Sequence, residues 1–266
     1  HRITVISSET KHFYSRTALM YIYMGHMTYE NTKPYEDFFW KKNKIDLVFD
    51  HVEKVETGVK SIHLKSGNSI DYDTLIIATG SRSNKFGWPG QDLQGVHCLY
   101  SYNDLLLIEG DTKRTNHAVI VGGGLIGIEL AEMLLSRNIS VTFLVREADF
   151  WNNVLPLEEA NLISRHVRSH HVDLRLLNEL QSIQADESGC VKSIVTQSGE
   201  VIKCQFVGLT VGVSPNIEFL KNSGIEIKKG VLVNKYLQTN VPDIFAIGDC
   251  VERTYDLPGR RTIEQV

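Results

Sequence analysis

Three glycines, Gly122, Gly124 and Gly127, stand in the spacing GxGxxG within AVIVGGGLIGIELAEML. Alone they are a weak signal in a chain that holds 20 glycines. Their setting makes them specific. The β-branched run AVIV precedes them, a helical apolar pattern opens directly after, and a second strand ends about 20 residues further on. There Gly122 supplies a tight turn, and Gly124 lets backbone amides approach a pyrophosphate at the positive end of a helix. Gly127 lets helix and strand pack closely, and Leu125 and Ile126 complete the turn whose main chain meets the phosphates.

The tip of the second strand decides which nucleotide fits. FLVRE places Arg146 at the tip and Glu147 after it. An acid hydrogen-bonds free ribose hydroxyls, as in NAD, whereas an arginine pairs with the extra phosphate of NADP. Arg146 leans the reading towards NADPH. The alternative, a solvated Arg146 with Glu147 turned inward on NADH, stays open.

Two further acids end apolar strands. Glu9 follows ITVIS, and Asp249 ends DIFAIGD. An acid like Glu9 holds a ribose when it lies about 20 residues after a glycine-rich turn. No such turn precedes it here, so either this strand is ordinary or the sequence opens inside a nucleotide-binding domain.

Other constellations carry less. His170 and His171 are adjacent, so their side chains diverge, and no further ligand follows at metal-binding spacing. Cys190 and Cys204 straddle an expected hairpin, and two sulfurs make no structural zinc site. Cys250 reads as packing. The aromatics Tyr14, Tyr21, Tyr23, Tyr29, Phe38, Phe39 and Trp40 suit core packing and a stacking surface equally.

These groups need elements to hold them. In the first hundred residues ITVIS is a strand, RTALMYIYMG a short helix closed by Gly25, and residues 33–43 a second helix. IDLVF, VEKVE and a KSIHLKSGNSIDYD hairpin turning at Gly67-Asn68 follow. LIIATG is apolar throughout, as a strand buried on both faces would be, and SRSNKFGWPGQDLQG reads as loop. From about Ser101 a second unit runs strand, helix, strand, helix, strand. A meander turning at Ser198-Gly199 and a buried strand close it. The fold class is α/β: two Rossmann-like dinucleotide-binding domains with antiparallel β-meander insertions, one inserted into the other. Residues 1–101 and 222–266 form the split domain, and residues 102–221 the inserted one.

The 266 residues suffice for two domains, with 42% hydrophobic and 23% charged residues as in globular proteins. A net charge of −4 gives no reason to expect nucleic acid or an anionic membrane as partner. No apolar run is long enough to span a bilayer. The four dispersed cysteines fit a reducing compartment, and a cytoplasmic location is expected.

GGGLIGIELAEML, LIIATGSRS, VGLTVGVSPN and TNVPDIFAIGD together resemble the FAD-dependent pyridine nucleotide-disulfide oxidoreductases. The resemblance covers nearly the whole chain and is nearest the rubredoxin reductases, ferredoxin reductases and nitrite reductase flavin domains. It implies FAD on the split domain and NAD(P)H on the inserted one. By this resemblance Asp249, beside Gly248, would bind the ribityl chain. Ala78, Thr79 and Gly80 would let the chain pass close to the flavin. Glu9 would hold the adenosine ribose, Val52 would meet the adenine through its backbone, and Arg16 would lie near the flavin pyrophosphate and ring. Glu129 and Gly212 would face the nicotinamide.

Three departures follow. The flavin domain's own GxGxxG is absent. The sequence stops at RRTIEQV where relatives continue into an interface domain, through which a homodimer would form, so the chain reads as a fragment. No cysteine lies near Arg16, which argues against disulfide chemistry, since a thiol relay needs sulfur beside the flavin. The implied function is hydride transfer from NAD(P)H to FAD, then electron transfer to an unidentified acceptor: an iron–sulfur protein, an attached redox domain or oxygen. The alternatives are the flavin module of an assimilatory nitrite reductase and a non-catalytic dinucleotide-binding sensor or scaffold.

Overall fold

The computed structural model describes residues 2–152 and 154–255, so the RRTIEQV segment lies outside the described residues. Along the chain come β1 (Ile3–Ser7), α1 (Leu19–Tyr23), α2 (Asp37–Lys42), β2 (Ile45–Phe49), β3 (Val52–Glu56), β4 (Ser61–Leu64), β5 (Ser69–Asp71), β6 (Leu75–Ile77) and β7 (Ser81–Ser83). Next are β8 (Val96–His97), α3 (Tyr102–Thr112), β9 (His117–Val121), α4 (Leu125–Ser136), β10 (Ser140–Val145), α5 (Leu157–Ser169) and β11 (Asp173–Leu176). The remaining strands are β12 (Leu180–Ala185), β13 (Val191–Thr196), β14 (Val201–Lys203), β15 (Phe206–Leu209), β16 (Val213–Pro215), β17 (Val231–Val233), β18 (Ile244–Ala246) and β19 (Val251–Arg253).

The chain divides into two compact units. Unit 1 holds the residues up to Phe13, then Tyr35–Arg82, then the described residues from Val213 onward; unit 2 holds Tyr14–Pro34 and Ser83–Gly212.

In unit 2 a five-stranded sheet runs in the order β11-β10-β9-β15-β8, parallel throughout. Its three central strands, β10, β9 and β15, are largely apolar because both faces are covered: Val119, Ile120, Phe143, Phe206 and Val207 are fully buried. The helix α4 buries Leu130, Met133 and Leu134 against this sheet, while α5 contributes Ala160 and Val167. The meander β12-β13-β14 is antiparallel and turns at Gly199, whose φ is +86°. Leu19 and Tyr23 of α1 enter the same core, which places Tyr14–Pro34 with unit 2.

In unit 1, β1 pairs in parallel with β2, and β6 in parallel with β18. The antiparallel meander β3-β4-β5 turns at Gly67, with φ +88°. Val55, Ile77, Leu220, Val231, Ile244 and Ala246 form the core.

Three expectations from sequence differ from the structure. The compact units meet at 82/83 and 212/213 instead of 101/102 and 221/222. The reason is packing: β8 adds to the edge of unit 2's sheet through β15, whereas Ile217 and Leu220 are buried in unit 1. The LIIATG strand is buried on one face only, with Ile77 3% and Ile76 60% exposed. The pair β6–β18 has a covered face carrying Ile77 and an open one carrying Ile76. Finally, SRS is not loop but the strand β7, paired with β16.

Candidate nucleotide-binding sites

The glycine turn of unit 2 is built as its spacing implies. Gly122, with φ +111°, follows β9 directly, and a Cβ there would stand 2.5 Å from the Thr210 carbonyl oxygen. The Thr210 hydroxyl is shared between the carbonyls of Val121 and Gly122, at 3.0 and 3.1 Å, and so braces the turn. Gly127 lies where a Cβ would meet Phe143 Cζ at 2.6 Å and the Gly122 oxygen at 2.7 Å. This close approach draws α4 onto the sheet. A Cβ on Gly124 would meet nothing within 4 Å.

Gly124 is also the N-cap of α4, and no side chain caps that end. The first-turn amides of a helix have no intrahelical acceptors and carry its positive end. Leu125, exposed, and Ile126, half-buried, lie in that turn. An open, uncapped helix start beside a glycine turn fits a pyrophosphate. One turn on, Glu129 lies at the exposed side of the helix, yet partial desolvation first, and then the nearby Glu132 carboxylate, push its carboxyl above the ordinary value.

Arg146 follows β10, and its Nε donates to Glu147 Oε1 at 2.8 Å. The Arg146 side chain is 74% exposed and that of Glu147 28%. The two rival nucleotide contacts are therefore one ion pair. Gly212 of this unit has φ +87° and accepts from the Asn84 amide at 3.0 Å. Arg16 also belongs to unit 2, whereas Glu9 belongs to unit 1. Its guanidinium lies over the Tyr100 ring, 4.5 Å from the centroid, and donates to the Tyr100 carbonyl.

In unit 1 the parallel register Ile77↔Ala246 sets two strand ends side by side. The loops that follow carry Ala78, Thr79 and Gly80 on one side and Gly248 and Asp249 on the other. They are tied by Ile247 N–H to the Ile77 carbonyl at 2.9 Å and by the Ser81 hydroxyl to the Asp249 carbonyl at 3.4 Å. Ala78 and Thr79 are exposed, and a Cβ on Gly248 would meet nothing within 4 Å. Small residues around an open edge leave room for a ligand against the main chain. The parallel pair β1–β2 likewise brings the half-buried Glu9, past the end of β1, to the same end as Val52, past the end of β2. Cys250 is fully buried, with Sγ near the Ile247 and Ile77 carbonyls at 3.2 and 3.6 Å.

Sequence reasoning passed over Thr210 and two asparagines, Asn84 and Asn216. In unit 1 the Asn216 side-chain amide donates to the Thr79 and Ser81 carbonyls at 3.2 and 2.9 Å. The available signal was the pair of similar stretches GSRSN and GVSPN.

The model of one family, the pyridine nucleotide-disulphide oxidoreductases, matches residues 1–266. The chain belongs to this family. Among its relatives, the NADH-rubredoxin oxidoreductase of Clostridium acetobutylicum is 31% identical over 97% of this chain and 64% of its own length. The NAD(P)H coenzyme A polysulfide/persulfide reductase of Pyrococcus horikoshii is 32% identical over 85% of this chain and 51% of its own. The crystal structure of a ferredoxin reductase from Rhodopseudomonas palustris shares the fold with a TM-score of 0.92 at 24% identity, covering 99% of this chain and 65% of that one. The chain thus spans between half and two thirds of these relatives' lengths. Membership in this oxidoreductase family implies FAD and NAD(P)H as cofactors. Among the described residues no helix is long and apolar enough to cross a membrane.

Proposed function

We propose that this chain carries the cofactor-binding parts of a flavin-dependent NAD(P)H oxidoreductase that passes electrons to an iron–sulfur protein. The observation that supports it best is the presence of two separate openings. Unit 2 has the complete glycine turn around Gly122, Gly124 and Gly127. Unit 1 has its own open edge where Ala78–Gly80 lies beside Gly248–Asp249. A sensor module for one nucleotide needs only the first.

FAD, when bound, supplies hydride acceptance and one-electron release, while the protein supplies binding and orientation. In this reading unit 2 holds NAD(P)H, with the α4 amides on its pyrophosphate and Glu129 and Gly212 at its nicotinamide end. Unit 1 holds FAD through Asp249, Glu9, Val52 and the backbone from Ala78 to Gly80. Arg146, exposed at the strand tip, takes the extra phosphate of NADPH once released from Glu147.

The acceptor follows from where sulfur is lacking. The first cysteine of the sequence is Cys98, so the segment around Arg16 itself carries none. A thiol relay needs a thiolate beside the flavin. That separates this chain from the chemistry in the persulfide reductase's name and favours the rubredoxin type of acceptor. The four cysteines are free, which agrees with a reducing, cytoplasmic setting.

The test is the flavin content of the full-length protein after purification and denaturation. One FAD per chain supports this reading. A protein that holds none and takes up none when FAD is added would leave one nucleotide site, and the module reading would replace it.

A further inference from the structure

The chain contains two copies of the pattern Gly-x-x-x-Asn, Gly80–Asn84 (GSRSN) and Gly212–Asn216 (GVSPN). They include the paired strands β7 and β16. Each asparagine bonds to the glycine of the other copy. The Asn216 N–H donates to the Gly80 carbonyl at 2.9 Å, and the Asn84 N–H to the Gly212 carbonyl at 3.0 Å. Both glycines have positive φ, +61° at Gly80 and +87° at Gly212.

The side chains extend this exchange. Asn216 Nδ2 donates to Thr79 O at 3.2 Å and Ser81 O at 2.9 Å, while the Thr79 hydroxyl donates back to Asn216 O at 2.7 Å. Asn84 Nδ2 donates to Val211 O at 3.4 Å. A peptide group is planar and trans, so its carbonyl and its N–H point in opposite directions. Holding the Thr79 carbonyl therefore fixes where the Gly80 N–H points. Holding the Val211 carbonyl does the same for the Gly212 N–H. Without these bonds, each glycine would leave its neighbouring peptide planes free to turn.

We propose that Asn216 and Asn84 are positioning residues with separate duties. Asn216 holds the Thr79–Ser81 backbone at the flavin site, and Asn84 holds the Val211–Gly212 backbone at the nicotinamide site. Neither needs to touch a cofactor. Each sets the direction of the main-chain amides the cofactor meets. The proposal rests on the cofactor assignment above.

The experiment uses the full-length protein with Asn216→Asp and Asn84→Asp, and with Asn216→Ala and Asn84→Ala in case the added carboxylate prevents folding. FAD affinity is measured by reconstituting flavin-free protein, NADPH and NADH affinity by calorimetric titration of the same preparation, and the flavin midpoint potential on holoprotein. Asn216→Asp replaces the Nδ2 group, which donates both bonds, with an oxygen that faces two carbonyl oxygens. It should weaken FAD about tenfold or more and shift the flavin potential, with nicotinamide nucleotide affinity changed less than about twofold. Asn84→Asp should do the reverse, weakening NADPH and NADH and leaving FAD affinity and potential as they were. The alanine variants should show the same split more weakly. Equal loss of both cofactors in each variant, or no loss in either, would overturn the proposal. A wild-type protein that takes up no FAD would instead overturn the flavin assignment and with it the Asn216 half. Wild-type flavin binding with unchanged variants sinks only the positioning roles.

Discussion

Gly127 packs directly against Phe143: a Cβ on the glycine would stand 2.6 Å from the ring's Cζ. The ring is fully buried and edge-on to Phe150, with centroids 5.4 Å apart, so it cannot yield cheaply. Gly127→Ala should cost about 1–3 kcal/mol of stability and weaken nicotinamide nucleotide binding as α4 is pushed off its sheet. Gly124→Ala meets only open space, so it should change stability by no more than about 1 kcal/mol. If the pyrophosphate lies over that position, Gly124→Ala nonetheless loses nucleotide affinity. Thermal unfolding alongside nucleotide titration separates the two; equal behaviour would contradict the distinct roles.

The Arg146–Glu147 ion pair sets up a test of cofactor choice. If Arg146 makes the proposed contact, Arg146→Glu should weaken NADPH more than NADH, because only NADPH offers a phosphate for the guanidinium. Dissociation constants for both nucleotides check this. Equal loss for the two would remove the phosphate contact from Arg146.

Burial makes one thiol inert. The Cys204 thiol is pushed up to about 12 by its burial, and only a thiolate reacts with alkylating reagents. At pH 8 the native protein should be labelled at the half-buried Cys190 well before Cys204. Cys204 should be labelled only as the protein unfolds. Mass spectrometry of timed digests reads the order, and early labelling of Cys204 would refute it.

Two histidines tie stability to pH. Burial holds His97 and His117 below the ordinary 6.5, although Asp111, with Oδ2 2.8 Å from His97 Nε2, pulls His97 the other way. Between the folded and the ordinary values, the unfolded chain binds more protons than the folded one. Stability is therefore full above about 6.5 and falls as pH drops through that value towards the folded ones. Denaturant midpoints from pH 8 to 5 should decline, and His97→Gln should flatten the decline. An unchanged slope would exclude His97 as a source.

Much of this was legible in the sequence because its signals are local. The glycine turn, the buried strands of unit 2 and both hairpin turns stand where their residues suggested. Local chemistry failed where pairing partners are distant. Ser81–Ser83 is composed like a loop and becomes a strand only because β16, more than a hundred residues away in sequence, pairs with it. Tyr14–Pro34 follows β1 in sequence, yet Leu19 and Tyr23 bury in the core of unit 2, and Arg16 travels with them. Ile76 looked buried because its composition matched a two-faced strand, whereas only one face of β6 is covered. The helix α3 could have been read: Ser101 and Asp104 form the capping box that starts it.

Hydride transfer from NAD(P)H to FAD bound in the full-length protein, as proposed above, is tested most directly by an anaerobic absorbance titration. The expected result is a yellow protein whose flavin bands bleach when NADPH or NADH is added. Flavin bands that both nucleotides leave unchanged would contradict it.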